Sequence, residues 1–373
     1  MSIFIISNRA VEKPRGQKER FKEDGREHAR PTFRIARAWV PEGDEAADYE
    51  LISDGFDQDF DRLSKELSKP ETAGKSSSQR KGSEALFYEL YQAMRQSREK
   101  PADVLFFIHG FANAFSDNLA HIAKLKKLFI DPEESPAQHL VYVSWPTRSS
   151  KVFTYRDDQR DARATGMVLA RLYDKLQDFF RAAFLKQQQP YCGHRIHLAC
   201  HSMGNQVLMH MLEHLRLPDL EPFFGEVLLL HSDVPNTVFE PGEPFARLEK
   251  IAERTHVYMH RSDDALWISR FTKNGNKRLG RKGPRDRSVL PQETFLVDVS
   301  NLRQEEALKE RVVDHWGYLE SPQEIADIQA VLRGEEAQAI ELRHLRQGEA
   351  QYYYLVDPGT SPQVIQRITG GAS

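Results

Sequence analysis

Ser202 is the residue whose surroundings in the sequence most clearly suggest chemistry. It lies between Arg195–Ala199, a run typical of a β-strand, and Gln206–Leu215, an apolar run typical of a helix. A serine on a sharp turn from strand to helix presents its hydroxyl above the sheet, where it can attack a substrate. Such a turn requires small residues two positions before and after the serine, and Cys200 and Gly204 meet this requirement. The segment therefore predicts a nucleophilic serine.

A second turn lies upstream. His109, Gly110 and Phe111 follow Val104–Ile108, an apolar run rich in aromatic and β-branched residues that is typical of a strand buried on both faces. The backbone amides of Phe111 and of Met203, the residue after the serine, are predicted to form an oxyanion hole. Two such turns in this order, each after a strand, predict a serine hydrolase with the α/β-hydrolase fold.

A histidine is needed to accept the proton of the serine, because a hydroxyl is a weak nucleophile at neutral pH. In this fold the catalytic histidine follows the acid in the chain. His315 comes after the last predicted parallel strand and before a closing helix, and we predict that it is the base. His344 lies in a charged segment, and His201, next to the serine, is predicted to pack behind the turn.

The acid is predicted less uniquely, because several aspartates follow strands. Asp263 and Asp264 both come after the predicted strand Thr255–Met259, which is the usual place for the acid of this fold. Asp233 follows the preceding strand, a position that some hydrolases use. We predict Asp263, and Asp264 and Asp233 remain open as alternatives.

The elements that must position these residues alternate between strand and helix from residue 101 onward. This alternation predicts a mostly parallel central sheet flanked by helices. Three earlier runs predict an N-terminal antiparallel extension, and a Ser-, Lys- and Gly-rich segment, 69–82, is predicted to be a mobile loop. We therefore expect an N-terminal part (1–100) with strands, the mobile loop and a leading helix packed on the core, a catalytic core (101–335) and a C-terminal extension (336–373). The predicted strands are Ser2–Ser7, Thr32–Val40, Tyr49–Ser53, Val104–Ile108, His139–Ser144, Arg195–Ala199, Gly225–Leu230, Thr255–Met259, Glu293–Val299 (the last clear parallel strand) and Gln351–Val356, and the predicted helices include Glu84–Arg95, Asp157–Lys186, Phe245–Glu253 and Pro322–Arg333.

Composition narrows the class of protein. The net charge of −3 over 373 residues gives no global field that favours nucleic acid, and no apolar run is long enough to span a bilayer. Two cysteines, Cys192 and Cys200, do not indicate a disulfide framework, so a cytoplasmic protein is expected. No cluster of His, Cys or Glu has metal-ligand spacing, and neither metal nor cofactor is predicted. The expected partner is a small-molecule or lipid ester substrate, and no protein partner is indicated.

The segment Lys273–Arg287 is strongly basic and lies between the predicted acid and the predicted base. It could recruit an anionic substrate, which would make the protein a phospholipase or lipase acting on anionic lipid. A solvated surface loop is the other interpretation. A third possibility is a hydrolase fold that is catalytically silent and serves as an interaction module, although a complete set of serine, histidine, acid and oxyanion donors argues against it.

Several separated blocks of this sequence resemble the α/β-hydrolase family catalogued as DUF900. The family carries an acid-like aspartate at the position of Asp263, and the resemblance implies a hydrolase fold and ester chemistry but no particular substrate. The matching blocks are Phe107–Phe111 with Asn113 and Phe115, Val143–Pro146 with Arg148, Ala199–Asn205, Ser232–Val234, Tyr258–Leu266 and the segment around His315.

Overall fold

A computed structural model describes most of the chain. The described residues are 1–25, 27–53, 80–96, 102–148, 154–181, 193–216, 222–263, 265–266, 277–302 and 315–370. Most of the predicted mobile loop, together with Asp264, Cys192 and the first residues of the basic segment, therefore lies outside them.

Within these residues, 11 strands form one sheet, and a short pair, β2 (Val11–Glu12) and β3 (Arg20–Phe21), stands apart from it. Eight adjacent strands of this sheet run parallel, and the strands beyond them, one at one edge and two at the other, are antiparallel to their neighbours. The predicted mostly parallel sheet with an N-terminal antiparallel part is confirmed. In spatial order the strands are β12 (Arg343–Leu345), β13 (Tyr352–Leu355), β11 (Thr294–Asp298), β10 (Ala252–Met259), β9 (Phe224–Leu230), β8 (Ile196–His201), β6 (Asp103–Ile108), β7 (Ala137–Ser144), β1 (Ser2–Ser7), β4 (Arg34–Trp39) and β5 (Asp48–Leu51).

Helices cover both faces of the sheet, so the central strands are buried on both sides. In β6, Phe106 packs into one hydrophobic core and Phe107 into the other, because successive side chains of a strand point to opposite faces. The helices are α1 (Gly82–Gln96), α2 (Phe115–Leu125, continued by a π-helical turn Lys126–Ile130), α3 (Tyr155–Arg181), α4 (Gly204–His214), a 3₁₀ segment (Pro244–Lys250), α5 (Leu279–Lys282), α6 (Gly317–Glu320), α7 (Pro322–Leu332) and α8 (Pro362–Thr369).

Two predictions about elements are wrong. The predicted helix 245–253 is a 3₁₀ segment that ends at Lys250, because Ala252 already pairs with Phe224 in the sheet. The strand around residue 296 is not the last parallel one, since Tyr352 pairs with Leu296 and extends the parallel part by one strand. Propensity alone could not decide either case, because pairing between distant strands determines both.

No helix in the described ranges combines the length and the apolar character that crossing a bilayer would require. The boundaries predicted near residues 100 and 335 stay a prediction. The N-terminal strand β1 lies inside the large sheet, between β7 and β4.

Candidate active site

Ser202 lies on a strained turn between β8 and α4. Its φ of 52° is in the left-handed region, which a non-glycine residue rarely adopts. The Ser202 amide donates to the carbonyl of Leu230 (2.9 Å), and its carbonyl accepts from the amide of Asp233 (3.1 Å) and from the side chain of Asn205 (3.0 Å). The surrounding backbone thus holds the serine in an unfavourable conformation, as is usual for functional residues.

The small residues on either side of the serine are required by close packing. A Cβ on Gly204 would lie 2.5 Å from the carbonyl oxygen of Ile108 and 2.7 Å from that of His109, so the start of α4 touches the end of β6. Cys200 is fully buried within β8, and burial raises the pKa of its thiol well above the usual value. Cys200 is therefore an uncharged packing residue, as its position before the turn predicts.

The turn after β6 approaches the serine just as closely. A Cβ on Gly110 would lie 2.9 Å from Cβ of Ser202, and Ala112 has a positive φ of 61°. The amides of Phe111 and Met203 donate no hydrogen bond to any other described residue. Met203 directly precedes α4, where the partial positive charge of the helix N-terminus adds to the field. Two unused amides beside a serine could stabilise a developing oxyanion.

His109 is a neutral ring that connects this turn to Trp145 through hydrogen bonds. Its Nε2 accepts from the amide of Trp145 (3.0 Å), so its Nδ1 is the protonated nitrogen and donates to the carbonyl of Gly110 (2.8 Å). The indole of Trp145 donates to the carbonyl of His109 (2.8 Å). Burial, and then the positive charge of Arg9, hold the pKa of His109 well below its usual value. His109 therefore orients the turn and does not exchange protons.

Arg9 fastens the same turn from the N-terminal part of the chain. Its guanidinium is buried and donates to the carbonyl of Asn113 (2.8 Å) and to the hydroxyls of Ser144 (3.2 Å) and Thr147 (3.3 Å). Burial lowers its pKa to about 10 despite nearby acidic groups, so it remains a cation at neutral pH. The sequence carries no local signal for this role, because the three partners lie more than 100 positions away.

His315 and Asp263 form a buried pair. His315 Nδ1 lies 2.8 Å from Asp263 Oδ2, and Asp263 Oδ1 accepts from the amide of Leu266 (3.0 Å). Burial alone would raise the pKa of Asp263, but His315 and His231 outweigh it and hold the pKa well below the usual value. The carboxylate is thus ionised and can fix the tautomer of His315, which leaves Nε2 as the acceptor nitrogen. Within the described residues Ser202 Oγ makes no hydrogen bond, including none to His315.

His201 connects the serine turn to the histidine segment. Its Nε2 donates to the backbone carbonyl of His315 (2.9 Å), and the two ring centroids are 4.7 Å apart. Burial, followed by repulsion from His315 and His231, lowers its pKa well below the usual value. The ring is therefore neutral, and it links the serine turn to the backbone of His315. Its role as a packing residue behind the serine stays a prediction.

Asp233, one of the alternative acids, is engaged elsewhere. Its Oδ1 lies 3.0 Å from Arg278 Nε, and its Oδ2 accepts from the hydroxyl of Tyr155 (2.6 Å). Both charged side chains of the ion pair are 3% exposed, so this carboxylate balances a buried arginine. The structure brings Asp263, not Asp233, to His315, and Asp264 lies outside the described residues.

His231 is a residue of this centre that sequence reasoning missed. It follows β9 with a positive φ of 45°, and its Nδ1 lies 3.5 Å from Asp263 Oδ2. Its Nε2 lies 3.1 Å from Oε1 of Glu324, a buried residue in the first turn of α7. Burial alone would lower the pKa of His231, but Glu324 and Asp263 raise it to about 10. Its position at the end of a central strand is the one signal that could have identified it.

His231, Asp263 and His315 each place one ligand atom within 4.8 Å of the others, a spacing at which a metal ion could be considered. Ligand atoms about 2.0–2.1 Å from a tetrahedral zinc would be roughly 3.3 Å apart. The separation of 2.8 Å between Asp263 and His315 is instead that of a strong hydrogen bond. The spacing fits a hydrogen-bonded chain better than a metal centre.

The described part of the basic segment is largely paired within the protein. Arg278 is buried against Asp233, Arg285 pairs with Glu240, and Arg287 pairs with Glu349 (2.7 Å). Arg278 therefore cannot attract a substrate from solvent. The expectation of an anion-recruiting loop finds no support from these three arginines and stays a prediction for the remainder of the segment.

A family model described as an α/β-hydrolase of unknown function, DUF900, matches residues 87–333 of the 373. The match confirms the resemblance inferred from the separate motifs. No curated protein and no solved structure shows significant similarity to the chain. The matched range contains both turns, His315 and the three candidate acids, but it leaves out Arg9.

Proposed function

Because the chain belongs to the family of α/β-hydrolases of unknown function catalogued as DUF900, we propose that it is a serine hydrolase that cleaves carboxylic esters through an acyl-enzyme. Membership of the family supports hydrolysis. The geometry of the residues around Ser202 supports serine chemistry, and the ester substrate is the expectation that the resemblance to this family implies.

In the proposed reaction, Ser202 Oγ attacks the acyl carbonyl while Nε2 of His315 takes the hydroxyl proton. Asp263 stabilises the imidazolium that forms, and the amides of Phe111 and Met203 hold the oxyanion. His315 then gives its proton to the leaving alcohol, and the acyl group stays on the serine. A water molecule, activated by the same imidazole, releases the acid.

The observation that carries this proposal is a left-handed serine beside an ionised Asp–His pair. Ser202 has a φ of 52°, and His201, its neighbour in the chain, is hydrogen-bonded to the backbone of His315. A packing residue would gain nothing from this strained backbone, which costs about 1–3 kcal/mol. A nucleophile gains exposure of its hydroxyl beside the base.

Reaction with a fluorophosphonate probe tests the proposal. The wild-type protein should be labelled at Ser202 and should hydrolyse short activated esters, while Ser202→Ala should lose both and keep its fold. Ser232→Ala is the matched control, because Ser232 is a buried serine at the end of the adjacent strand, and its removal should leave labelling intact. A chelator should not change the rate.

Two outcomes would contradict the proposal. Full labelling and full activity of Ser202→Ala would place the nucleophile elsewhere. A wild-type protein that is folded but neither labelled nor active on a panel of esters would favour the catalytically silent interaction module.

A further inference from the structure

Four buried side chains form a continuous chain of alternating acid and histidine. Glu324, His231, Asp263 and His315 are all at least nine-tenths buried, and their successive N···O separations are 3.1, 3.5 and 2.8 Å. The chain joins α7 to the ends of β9 and β10. A triad requires only its last two members, so His231 and Glu324 need a separate explanation.

We propose that His231 is a positioning residue for Asp263: anchored by Glu324, it binds the carboxylate as a second cation and sets the pH range in which His315 can act as a base. This inference rests on the proposed function, since it assigns His315 the role of base.

The position of the His231 ring between two carboxylates favours its charged form. Each of its nitrogens faces a carboxylate oxygen, and a neutral imidazole has a single N–H, so one nitrogen would direct its lone pair at an anion. The imidazolium donates from Nε2 to Glu324 (3.1 Å), and its Nδ1 forms an ion pair with Asp263 at 3.5 Å without a hydrogen bond between them. The backbone of His231 is left-handed, a conformation that a non-glycine residue rarely adopts.

The lack of a side chain at Gly317 leaves space for the carboxylate of Glu324. A Cβ on Gly317 would lie 2.1 Å from Oε2 of Glu324, so the backbone of α6 packs directly on the carboxylate. Glycine at this position, two residues after His315, lets Glu324 reach His231 while the base remains nearby. The contact between Gly317 and Glu324 therefore links the residue that anchors His231 to the segment that carries His315.

The other titratable groups around the chain are uncharged or already paired. The His201 and His315 rings lie 6.5 and 6.0 Å from that of His231, and His201 is neutral. Burial raises the pKa of Tyr258 and of Tyr318 well above the usual value, so both stay neutral near Glu324. Asp327 forms a buried ion pair with Arg343 (2.6 Å). His231 is therefore the cation that balances the Asp263 and Glu324 carboxylates.

Each substitution changes the charge near His315 in a known direction, so the pH profile of kcat/KM distinguishes the proposed role from a merely structural one. In the wild type, Glu324, His231 and Asp263 together carry one negative charge. His231→Gln leaves two, which should stabilise protonated His315 and move the acidic limb of the kcat/KM profile to higher pH by about one unit. Glu324→Gln removes one, so the limb should move to lower pH or remain in place. The double variant again carries one negative charge, and its limb should return toward that of the wild type.

The profile is measured with a short neutral activated ester on the full chain. His256→Gln is the matched control, because His256 is a buried histidine on Glu226 (3.2 Å) away from this chain of residues, and it should not move the limb. Unchanged limbs in the two single variants, shifts in the same direction, or a double variant displaced further than either single variant would overturn the proposal.

A second measurement is independent of activity. Nitrogen NMR of the wild type at pH 8 should show both nitrogens of His231 protonated, and a neutral ring would overturn the proposal even in an active enzyme. A wild-type protein that does not react with the fluorophosphonate probe and is inactive, but whose His231 is charged, would contradict the proposed function. The effect of His231 on a base would then fall with it, while the ion pairs of His231 would stand.

Discussion

At the scale of single residues, strain and unusual charge are concentrated at three neighbouring strand ends. Ala112, Ser202 and His231 are the non-glycine residues of the described ranges with a positive φ, and they follow β6, β8 and β9. Each such conformation costs about 1–3 kcal/mol, so the fold must compensate for it elsewhere. Strain of this kind is concentrated at functional sites in other proteins, so the clustering supports the site proposed here.

Replacement of Asp263 by asparagine should separate catalysis from folding. The amide keeps the shape of the carboxylate but cannot stabilise the imidazolium of His315, so kcat should fall by roughly 10³–10⁴-fold. Ester hydrolysis and thermal unfolding are measured together, and Asp264→Asn is the control. A larger loss of activity in Asp264→Asn than in Asp263→Asn would transfer the role of acid to Asp264.

Stability should depend on pH through His231. Its pKa is raised from 6.5 to about 10 in the folded state, so its contribution is complete below pH 6.5 and is lost as the pH rises toward 10. At about 1.4 kcal/mol per pH unit, the free energy of unfolding should fall by about 2–3 kcal/mol between pH 7 and pH 9 relative to His231→Gln. Denaturant unfolding at the two pH values measures it, and parallel curves for both proteins would refute it.

At the scale of elements, the site depends on how closely α4 and the turn after β6 approach each other. Gly204 touches two backbone carbonyls at the end of β6, and Gly110 touches the serine, so neither contact can relax by moving a flexible side chain. The serine and the oxyanion amides are thereby placed by backbone packing. Within these turns, His109 hydrogen-bonds to Gly110 and Asn205 to the carbonyl of Ser202, and His201 links the serine turn to the backbone of His315.

Gly204→Ala should accordingly damage the site and the fold together. The added Cβ forces α4 away from β6, which should cost about 1–3 kcal/mol of stability and displace the Met203 amide. Thermal unfolding and the rate of fluorophosphonate labelling report the two effects. Gly225→Ala is the control, because its Cβ would meet only side-chain atoms at 3.1 Å or more. Equal effects of the two substitutions would refute the role of this contact.

At the scale of the whole molecule, strand β1 of the N-terminal part belongs to the same sheet as the strands that carry the proposed catalytic residues. Strand β1 pairs with β7 in parallel register, and Arg9, just beyond it, binds the carbonyl of Asn113 in the turn that carries the proposed oxyanion amide. The family model begins at residue 87, so this bracing comes from outside the matched range. The site is therefore supported by an N-terminal segment that lies outside the matched range.

Arg9→Met should weaken both stability and catalysis. The substitution leaves the carbonyl of Asn113 and the hydroxyl of Ser144 with one fewer donor, which should cost about 1–3 kcal/mol, and it loosens the turn at Phe111. Arg20→Met is the control, because the exposed pair of Arg20 with Glu12 should contribute less than about 1 kcal/mol. Unfolding and kcat are compared in both variants, and an Arg9→Met protein with wild-type kcat would refute the bracing.

The sequence by itself determined the parts of this protein that depend on local pattern. Alternating strand and helix signals predicted the mostly parallel sheet, and small residues around Ser202 predicted the sharp turn after β8, because both depend on neighbours within a few positions. The order of motifs along the chain pointed to His315 and to a short set of aspartates. These inferences needed no knowledge of which distant segments meet.

Only the tertiary structure decided which distant groups share one environment. Asp263 is hydrogen-bonded to His315, whereas Asp233 forms an ion pair with the buried Arg278. The local sequence around the two aspartates does not distinguish these roles. His231 and Glu324 are 93 positions apart, so their contact arises from the packing of α7 against the end of β9. Charge and hydrogen bonding in a buried site depend on such long-range contacts, because burial makes each partner decisive for the ionisation of the other.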